Sequence, residues 1–335
     1  MTNNTYRFRF PWQPILFLLV FSMTTSCYYM YKKDDDGPKE YVLVLHGGAG
    51  FAPEDMPMER QEAYKTKLLN ALAAGEQILK EGGEAVLAVE TSIRILEDDP
   101  FFNAGRGAVY TADGSVSLDA SIMDGRDHQA GAVAGVSRVK NPISAALRVM
   151  TDSKHVLLSG AGADLFAQRQ GLQMADSGWF FTEESTRAWE AQKAEMEKMG
   201  TVGAVARDMK GNLAAGTSTG GMMMKEYGRI GDSPIIGAGT WADNASCAIS
   251  CTGHGEYFIR WGAAHEVSAR MEHRKWTLER ASDYVINDLF RKKKANGGMI
   301  GVDVYGNIVM PFNTPSMFRA YVKQGQEPRA LIFKE

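Results

Sequence analysis

The chain has 335 residues, with 37 Lys and Arg against 40 Asp and Glu for a formal net charge of -3, and 44% of its residues are hydrophobic. That is enough chain for one large sandwich or two domains, each with a sizeable core. No basic stripe marks a nucleic-acid partner, and three cysteines without a CxxC or a histidine cluster give no zinc signature.

At the amino terminus, Arg7 and Arg9 precede an apolar run from Ile15 to Phe21, then Met23-Thr24-Thr25-Ser26-Cys27. The run is too short to span a bilayer. Small residues before a cysteine resemble a bacterial lipoprotein signal, with Cys27 as the lipidated residue; an ordinary secretory signal with an incidental cysteine is the alternative. On this reading residues 1–26 are a signal peptide, and loss of Arg7 and Arg9 moves the charge from -3 to -5. Residues 27–39, which include Lys32-Lys33-Asp34-Asp35-Asp36-Gly37-Pro38, form a solvated tether. The expected location is a bacterial cell envelope, on the periplasmic or surface side, with the lipid as the sole membrane contact. Cys247 and Cys251 then remain. In a strand their Cα atoms would be about 13 Å apart, too far for a disulfide, so both are expected to be small core residues.

Tyr41 to Leu45 reads as a buried strand, followed by helical patterns at 58–81 and 84–97 and short strands across 107–137. Helical patterns recur at 142–151 and 161–170, and the charged segment from Glu183 to Met199 reads as helix or linker. Beyond it come hairpins, helices at 262–272 and 276–291, and a last hairpin from Val302 to Val309. Strands grouped between helical stretches point to an α+β chain with two β-layers between two α-layers. There is no internal repeat. Met222-Met223-Met224 reads as loop packing rather than a metal site.

The segment from Thr201 to Gly221 reads TVGAVARDMKGNLAAGTSTGG. Residues 201–208 and 212–219 are strand candidates separated by Met209-Lys210-Gly211, where the glycine supplies the left-handed position of a hairpin loop. If Asp208 pairs with Asn212, paired positions sum to 420 and Thr201 lies opposite Thr219, with Cβ atoms roughly 5 Å apart. An ordinary threonine pair opening a hairpin is one reading, and a nucleophile with a hydroxyl partner is the other. Gly228-Arg229-Ile230-Gly231-Asp232-Ser233-Pro234 places a cation and a carboxylate three residues apart. That pair suits the α-carboxylate and α-ammonium of a zwitterion, or a plain loop ion pair. In Ser250-Cys251-Thr252-Gly253-His254-Gly255-Glu256 a strand ends in a glycine-rich turn, which suits an oxyanion hole or a simple turn.

Together with His46-Gly47-Gly48-Ala49-Gly50, Phe102-Asn103-Ala104-Gly105-Arg106-Gly107 and Asp119-Ala120-Ser121-Ile122-Met123-Asp124-Gly125, these stretches resemble the isoaspartyl peptidase and plant-type asparaginase family of N-terminal nucleophile hydrolases. The ordered set carries the resemblance; HGGAG or NAGxG alone would not. It implies a four-layer αββα sandwich and cleavage of the Gly200-Thr201 bond. The chain would divide into an α-subunit, residues 40–200 with its C-terminal linker, and a β-subunit, residues 201–335, which together form one catalytic domain. Thr201 would act as nucleophile and, through its new α-amine, as base. That amine's ordinary pKa of about 7.7 to 8.0 suits the task near neutrality. Glycine at position 200 is expected because it tolerates strained backbone angles.

The resemblance further implies that Thr219 orients Thr201, that Arg229 and Asp232 hold the substrate's α-groups with help from Gly255, and that Thr252 and the Gly253 N–H stabilise the oxyanion. Asn103, Gly47 and Gly48 would lie near the cleavage point. The implied reaction releases L-aspartate from asparagine or β-aspartyl dipeptides. A glycosylasparaginase acting on a sugar-linked asparagine, and a catalytically silent surface-anchored binding protein, are the alternatives. No catalytic cofactor is implied. A structural sodium or potassium ion would be held by backbone carbonyls of Leu96, Glu97, Asp99, Phe102, Ala104 and Arg106, or that stretch is a plain connection. The implied assembly is a homodimer of cleaved αβ units.

Overall fold

Leu43 and Leu45 face one hydrophobic core and Val42 and Val44 face another, so strand β1 (Val42–Gly50) is buried at every position. A strand covered on both faces needs a continuous apolar run, because its side chains point alternately to opposite sides. This computed structural model describes residue 1 and residues 39–50, 52, 55–176, 178–192 and 200–334. Residues 2–38, on which the expected signal and tether fall apart from Met1 and Lys39, and which include Cys27, lie outside the described residues, as do residues 193–199 just before Gly200. The unit described below is Lys39–Glu335.

Helices α1 (Met58–Lys80) and α2 (Ala85–Asp98) follow β1, then β2 (Leu118–Asp124), β3 (Ala130–Val136), α3 (Pro142–Asp152), β4 (Leu157–Ser159), α4 (Gly160–Arg169) and α5 (Glu183–Gln192). Beyond Gly200 come β5 (Val202–Arg207), β6 (Leu213–Thr219), β7 (Thr240–Ala242) and β8 (Cys247–Gly253). Next are α6 (Gly255–Trp261), α7 (Ala263–Arg274), α8 (Leu278–Asp283), β9 (Gly297–Asp303), β10 (Ile308–Val309), β11 (Ser316–Lys323) and β12 (Arg329–Phe333). The fold is α+β. One sheet has the order β12-β11-β1-β5-β6-β2-β3-β4 and the other β10-β9-β8-β7. Among the paired strands of the described residues, only β3–β4 is parallel.

Three apolar clusters hold these elements. The first joins Leu43 and Leu45 to Leu68 and Leu72 of α1, Val89 and Ile93 of α2 and Ile143 of α3. The second joins Val42, Val44, Val205 and Leu213 of the large sheet to Ala248, Ile300 and Val302 of the small one. In the third, Ile249, Cys251 and Met299 meet Phe258, Val267, Leu278, Ile286 and Phe290. Ala248 and Ile249 thus face different clusters, as a two-residue strand period requires. Each large side chain among them contributes about 1.5–3 kcal/mol on burial. Cys247 and Cys251 are free and buried, as expected.

The turn between β5 and β6 sets the geometry that matters most. Asp208 Oδ1 accepts the N–H groups of Lys210 and Asn212, both at 2.9 Å, and Gly211 takes φ +84. Asp303-Val304-Tyr305-Gly306-Asn307 repeats this turn between β9 and β10, with Asp303 Oδ1 accepting from Tyr305 and Asn307.

Several boundaries differ from the sequence reading. The helix expected at 262–272 is α7, and Gly262, at φ +54, separates it from α6, which the sequence reading did not foresee. Thr277 caps α8 by accepting the Arg280 N–H, and the helix then widens into a π-helical turn at Tyr284–Phe290. Residues 107–117 hold no strand, and the last hairpin is β11–β12, beyond the expected one.

Candidate active site

Thr201 directly precedes β5, which lies between β1 and β6. The pairs Val202↔Ser218 through Arg207↔Leu213 carry the register that the turn imposes. Thr201 therefore sits one residue out, opposite Thr219, and its Oγ1 donates to Thr219 Oγ1 at 3.1 Å. Thr219 Oγ1 donates to the Gly200 carbonyl at 3.2 Å and accepts the Gly221 N–H at 2.9 Å. Asn103 Nδ2 donates to the same Gly200 carbonyl at 2.8 Å and to Gly221 O at 2.8 Å, while its Oδ1 accepts the Val109 N–H. With its amide locked in that orientation, Asn103 and Thr219 together polarise the carbonyl that precedes Thr201.

The glycines here serve close approach. A Cβ on Gly48, at φ +109, would come within 2.9 Å of Gly200 Cα. Gly47 instead packs on Phe102, where a Cβ would lie 2.5 Å from the ring. At Gly200 a Cβ would lie 3.2 Å from Asn103 Cβ, a tight approach that favours glycine there.

Arg229, Asp232 and Gly253 line the same small pocket as Gly200, Thr201 and Thr219, together with Gly221, Met222, Gly231 and Ser233. Arg229 Nε and Nη2 form a two-pronged pair with Glu256 Oε1 and Oε2 at 2.9 and 3.0 Å. Asp232 is buried, its Oδ2 has no hydrogen-bond partner among the described residues, and burial pushes its pKa up to about 7. Gly255 separates the two groups. A Cβ there would stand 2.8 Å from Asp232 Oδ1 and 3.0 Å from Arg229 Nη2. Thr252 Oγ1 accepts the Ala49 N–H at 3.1 Å, so its own hydrogen stays available for donation. Gly253 takes φ +147, and a Cβ there would meet Asn296 O at 2.5 Å. A larger groove, lined by residues such as Glu84, Arg94, Arg126 and Asp152, holds none of these groups.

In the loop before NAGxG, a Cβ on Gly105 would lie 2.4 Å from Glu97 O, and one on Gly107 2.1 Å from Phe102 O. The Leu96, Asp99, Phe102 and Ala104 carbonyls each accept one backbone N–H and keep a second lone pair. Burial raises the Glu97 carboxyl to about 8. The Asp99 carboxylate pairs with Lys67 at 2.5 Å, and Arg106 stacks over Trp179.

A family described as "Asparaginase" matches residues 39–332. The chain belongs to the asparaginase family. Among relatives of this asparaginase-family chain, an isoaspartyl peptidase of Salmonella typhimurium is 45% identical over 309 residues, covering 88% of this chain and 99% of that protein. An isoaspartyl peptidase of Escherichia coli is 43% identical, covering 88% and 96%. An isoaspartyl peptidase/L-asparaginase of Rattus norvegicus is 42% identical over 293 residues, covering 85% and 87%.

The similarity corrects one expectation. The two bacterial relatives match along nearly their whole length, and nothing in that match supports an anchor. No helix among the described residues is long and apolar enough to cross a membrane. The lipid-anchored envelope location drawn from Cys27 is therefore set aside.

One contributor to the site had no role in the sequence reading: Glu256 ends the CTGHGE stretch, and a carboxylate three residues past Gly253 was the signal for a partner to Arg229. Met222 borders the pocket while Met223 is buried.

Proposed function

We propose that this chain is a self-cleaving amidohydrolase that releases L-aspartate from asparagine and β-aspartyl dipeptides. The observation that carries this reading is the doubly hydrogen-bonded Gly200 carbonyl next to Thr201, whose hydroxyl already donates to Thr219. In the first step Thr201 Oγ1 bonds to the Gly200 carbonyl carbon as its proton passes, by way of the Thr219 hydroxyl, to the Thr201 nitrogen. Asn103 stabilises the oxyanion, the C–N bond breaks, and the α-amine of Thr201 leaves. Water hydrolyses the resulting ester, giving a Gly200 carboxylate and a free amino-terminal Thr201.

In turnover that amine takes the hydroxyl proton, and Thr201 attacks the substrate's side-chain carbonyl. The Thr252 hydroxyl and Gly253 N–H donate to the oxyanion, a contribution worth about 100- to 1,000-fold per donor. The amine or ammonia departs protonated, and water releases aspartate from the β-aspartyl ester. The substrate ammonium fits the unpartnered Asp232 Oδ2, and its α-carboxylate fits Arg229. Gly255 supplies the room between them. The relatives named isoaspartyl peptidase and L-asparaginase support this substrate class.

In this reading the three apolar clusters separate four layers, α, β, β and α. Residues 40–200 and 201–335 are the subunits of one catalytic domain, and two such cleaved units pair. The carbonyls gathered at Gly105 and Gly107 fit a sodium or potassium ion held by Leu96, Glu97, Asp99, Phe102, Ala104 and Arg106. Such an ion would steady the loop that carries Asn103.

Denaturing electrophoresis with amino-terminal sequencing tests the mechanism. The wild type is expected to give two fragments, the smaller beginning at Thr201, and Thr201→Ala a single chain without aspartate release. An intact wild type that still hydrolyses β-aspartyl-leucine would refute it. Parallel assays with asparagine and a glycosylated asparagine rank the leaving groups, and no aspartate from any of them would favour a silent binding protein.

A further inference from the structure

We propose that His46 is a positioning residue for the nucleophile, holding the Thr201 carbonyl at the point where the backbone of β1 stops doing so. The proposal rests on the reading of Thr201 as nucleophile. The β1–β5 ladder runs from Val42↔Arg207 to His46↔Gly203 and ends there. Beside it, the β1–β11 register shifts between His46 and Gly48, so the strand bulges at Gly47 and the next rung, which would steady Thr201, is missing. The imidazole takes over: His46 Nδ1 lies 2.9 Å from Thr201 O.

The protonation of this contact follows from its partners. A carbonyl only accepts, so Nδ1 carries the hydrogen. Burial lowers His46 to about 3, which leaves Nε2 without a proton. Ser250 Oγ, 3.0 Å from Nε2, must then donate to it. A hydroxyl has one hydrogen, so Ser250 accepts at 2.7 Å from Thr217 Oγ1, whose hydrogen has the Gly239 carbonyl at 3.1 Å as a second, longer acceptor, and Thr217 accepts from Thr240 Oγ1 at 2.7 Å. Ser121 Oγ stands 2.8 Å from Thr240 and 2.5 Å from the Ser233 carbonyl, beside Asp232.

Hydroxyls from β2, β6, β7 and β8 thus fix one tautomer of a histidine on β1. All five side chains are buried. Gly203 leaves the room, since a Cβ there would lie 2.0 Å from Ser250 Oγ and 2.3 Å from His46 Nε2. None of these five side chains lines the pocket around Thr201, so their effect passes through the placement of Thr201. A misplacement of about 1 Å costs on the order of 100-fold in rate.

The test compares full-length wild type, His46→Asn, His46→Leu and Ser250→Ala. Asparagine keeps a donor near the Nδ1 position and leucine does not. Autocleavage rate, kcat and KM for β-aspartyl-leucine and Tm are measured for each. We expect His46→Leu to lose about 100-fold in autocleavage and kcat, His46→Asn to recover about tenfold of that loss, and Ser250→Ala to fall between wild type and leucine. KM stays within about threefold throughout. Equal kcat in the asparagine and leucine variants, or a loss carried by KM, overturns the proposal. If the leucine variant does not fold, Ser250→Ala decides: kcat lowered at constant KM supports it, and wild-type kcat overturns it. A wild type that neither cleaves itself nor turns over substrate would instead defeat the nucleophile reading, and this proposal with it.

Discussion

Asp232 carries a charge that its surroundings discourage. It is buried, its Oδ2 has no hydrogen-bond partner among the described residues, and burial pushes its pKa up from 3.8 to about 7. Below that value the acid is neutral and offers a substrate ammonium little attraction. The Thr201 amine, with an ordinary pKa of about 7.7 to 8.0, must also be unprotonated. kcat/KM is therefore expected to rise with pH, with a log–log slope approaching two below about 7 and one just above it. Asp232→Asn should weaken binding and reduce the lower slope to one; a slope of two retained in that variant contradicts the assignment. Glu256 acts on the same clamp by holding the Arg229 fork, half exposed though it is. Glu256→Gln is expected to raise KM severalfold with kcat nearly unchanged, measured by steady-state kinetics.

At the scale of elements, the β5–β6 hairpin shows how a local rule delivers a functional contact. The Asp208-Met209-Lys210-Gly211-Asn212 turn requires a left-handed residue at 211 and sets a register whose next position joins Thr201 to Thr219. All of this information lies within 19 consecutive residues, so it was readable in the sequence. Gly211→Val should cost at least about 1–2 kcal/mol in urea melts. Gly211→Asn should cost clearly less, because asparagine tolerates left-handed backbone; equal losses would show that the left-handed position is not what matters. The boundaries that escaped were those set by non-local packing. Gly262 separates α7 from a short helix, α6, that the apolar pattern did not show, and β11 is a strand because β1 lies beside it, with β12 paired in turn to β11.

For the whole molecule, the proposed cleavage point directly precedes β5, in a sheet built by strands from both sides of it in sequence. β5 and β6 are flanked by β1 and β2, and β11 pairs with the other edge of β1. Separating 40–200 from 201–335 would strip the ladder bonds of three strand pairs and expose the first two apolar clusters, which the loss of one peptide bond does not offset. The cleaved fragments should co-elute on gel filtration under native conditions and part only in denaturant. Separate native elution would contradict the shared fold. The sequence by itself determined the family, the nucleophile candidate, the hairpin register and the α+β class, since turns, strand period and motif order are short-range properties. Only the tertiary structure decided that Asn103, 97 residues away, grips the Gly200 carbonyl, and that His46, 155 residues away, grips that of Thr201. It also decided that Glu256 occupies the Arg229 fork and that Asp232 is buried. Those facts depend on which distant strands share a sheet and how deeply a side chain is buried, and no local spacing encodes either.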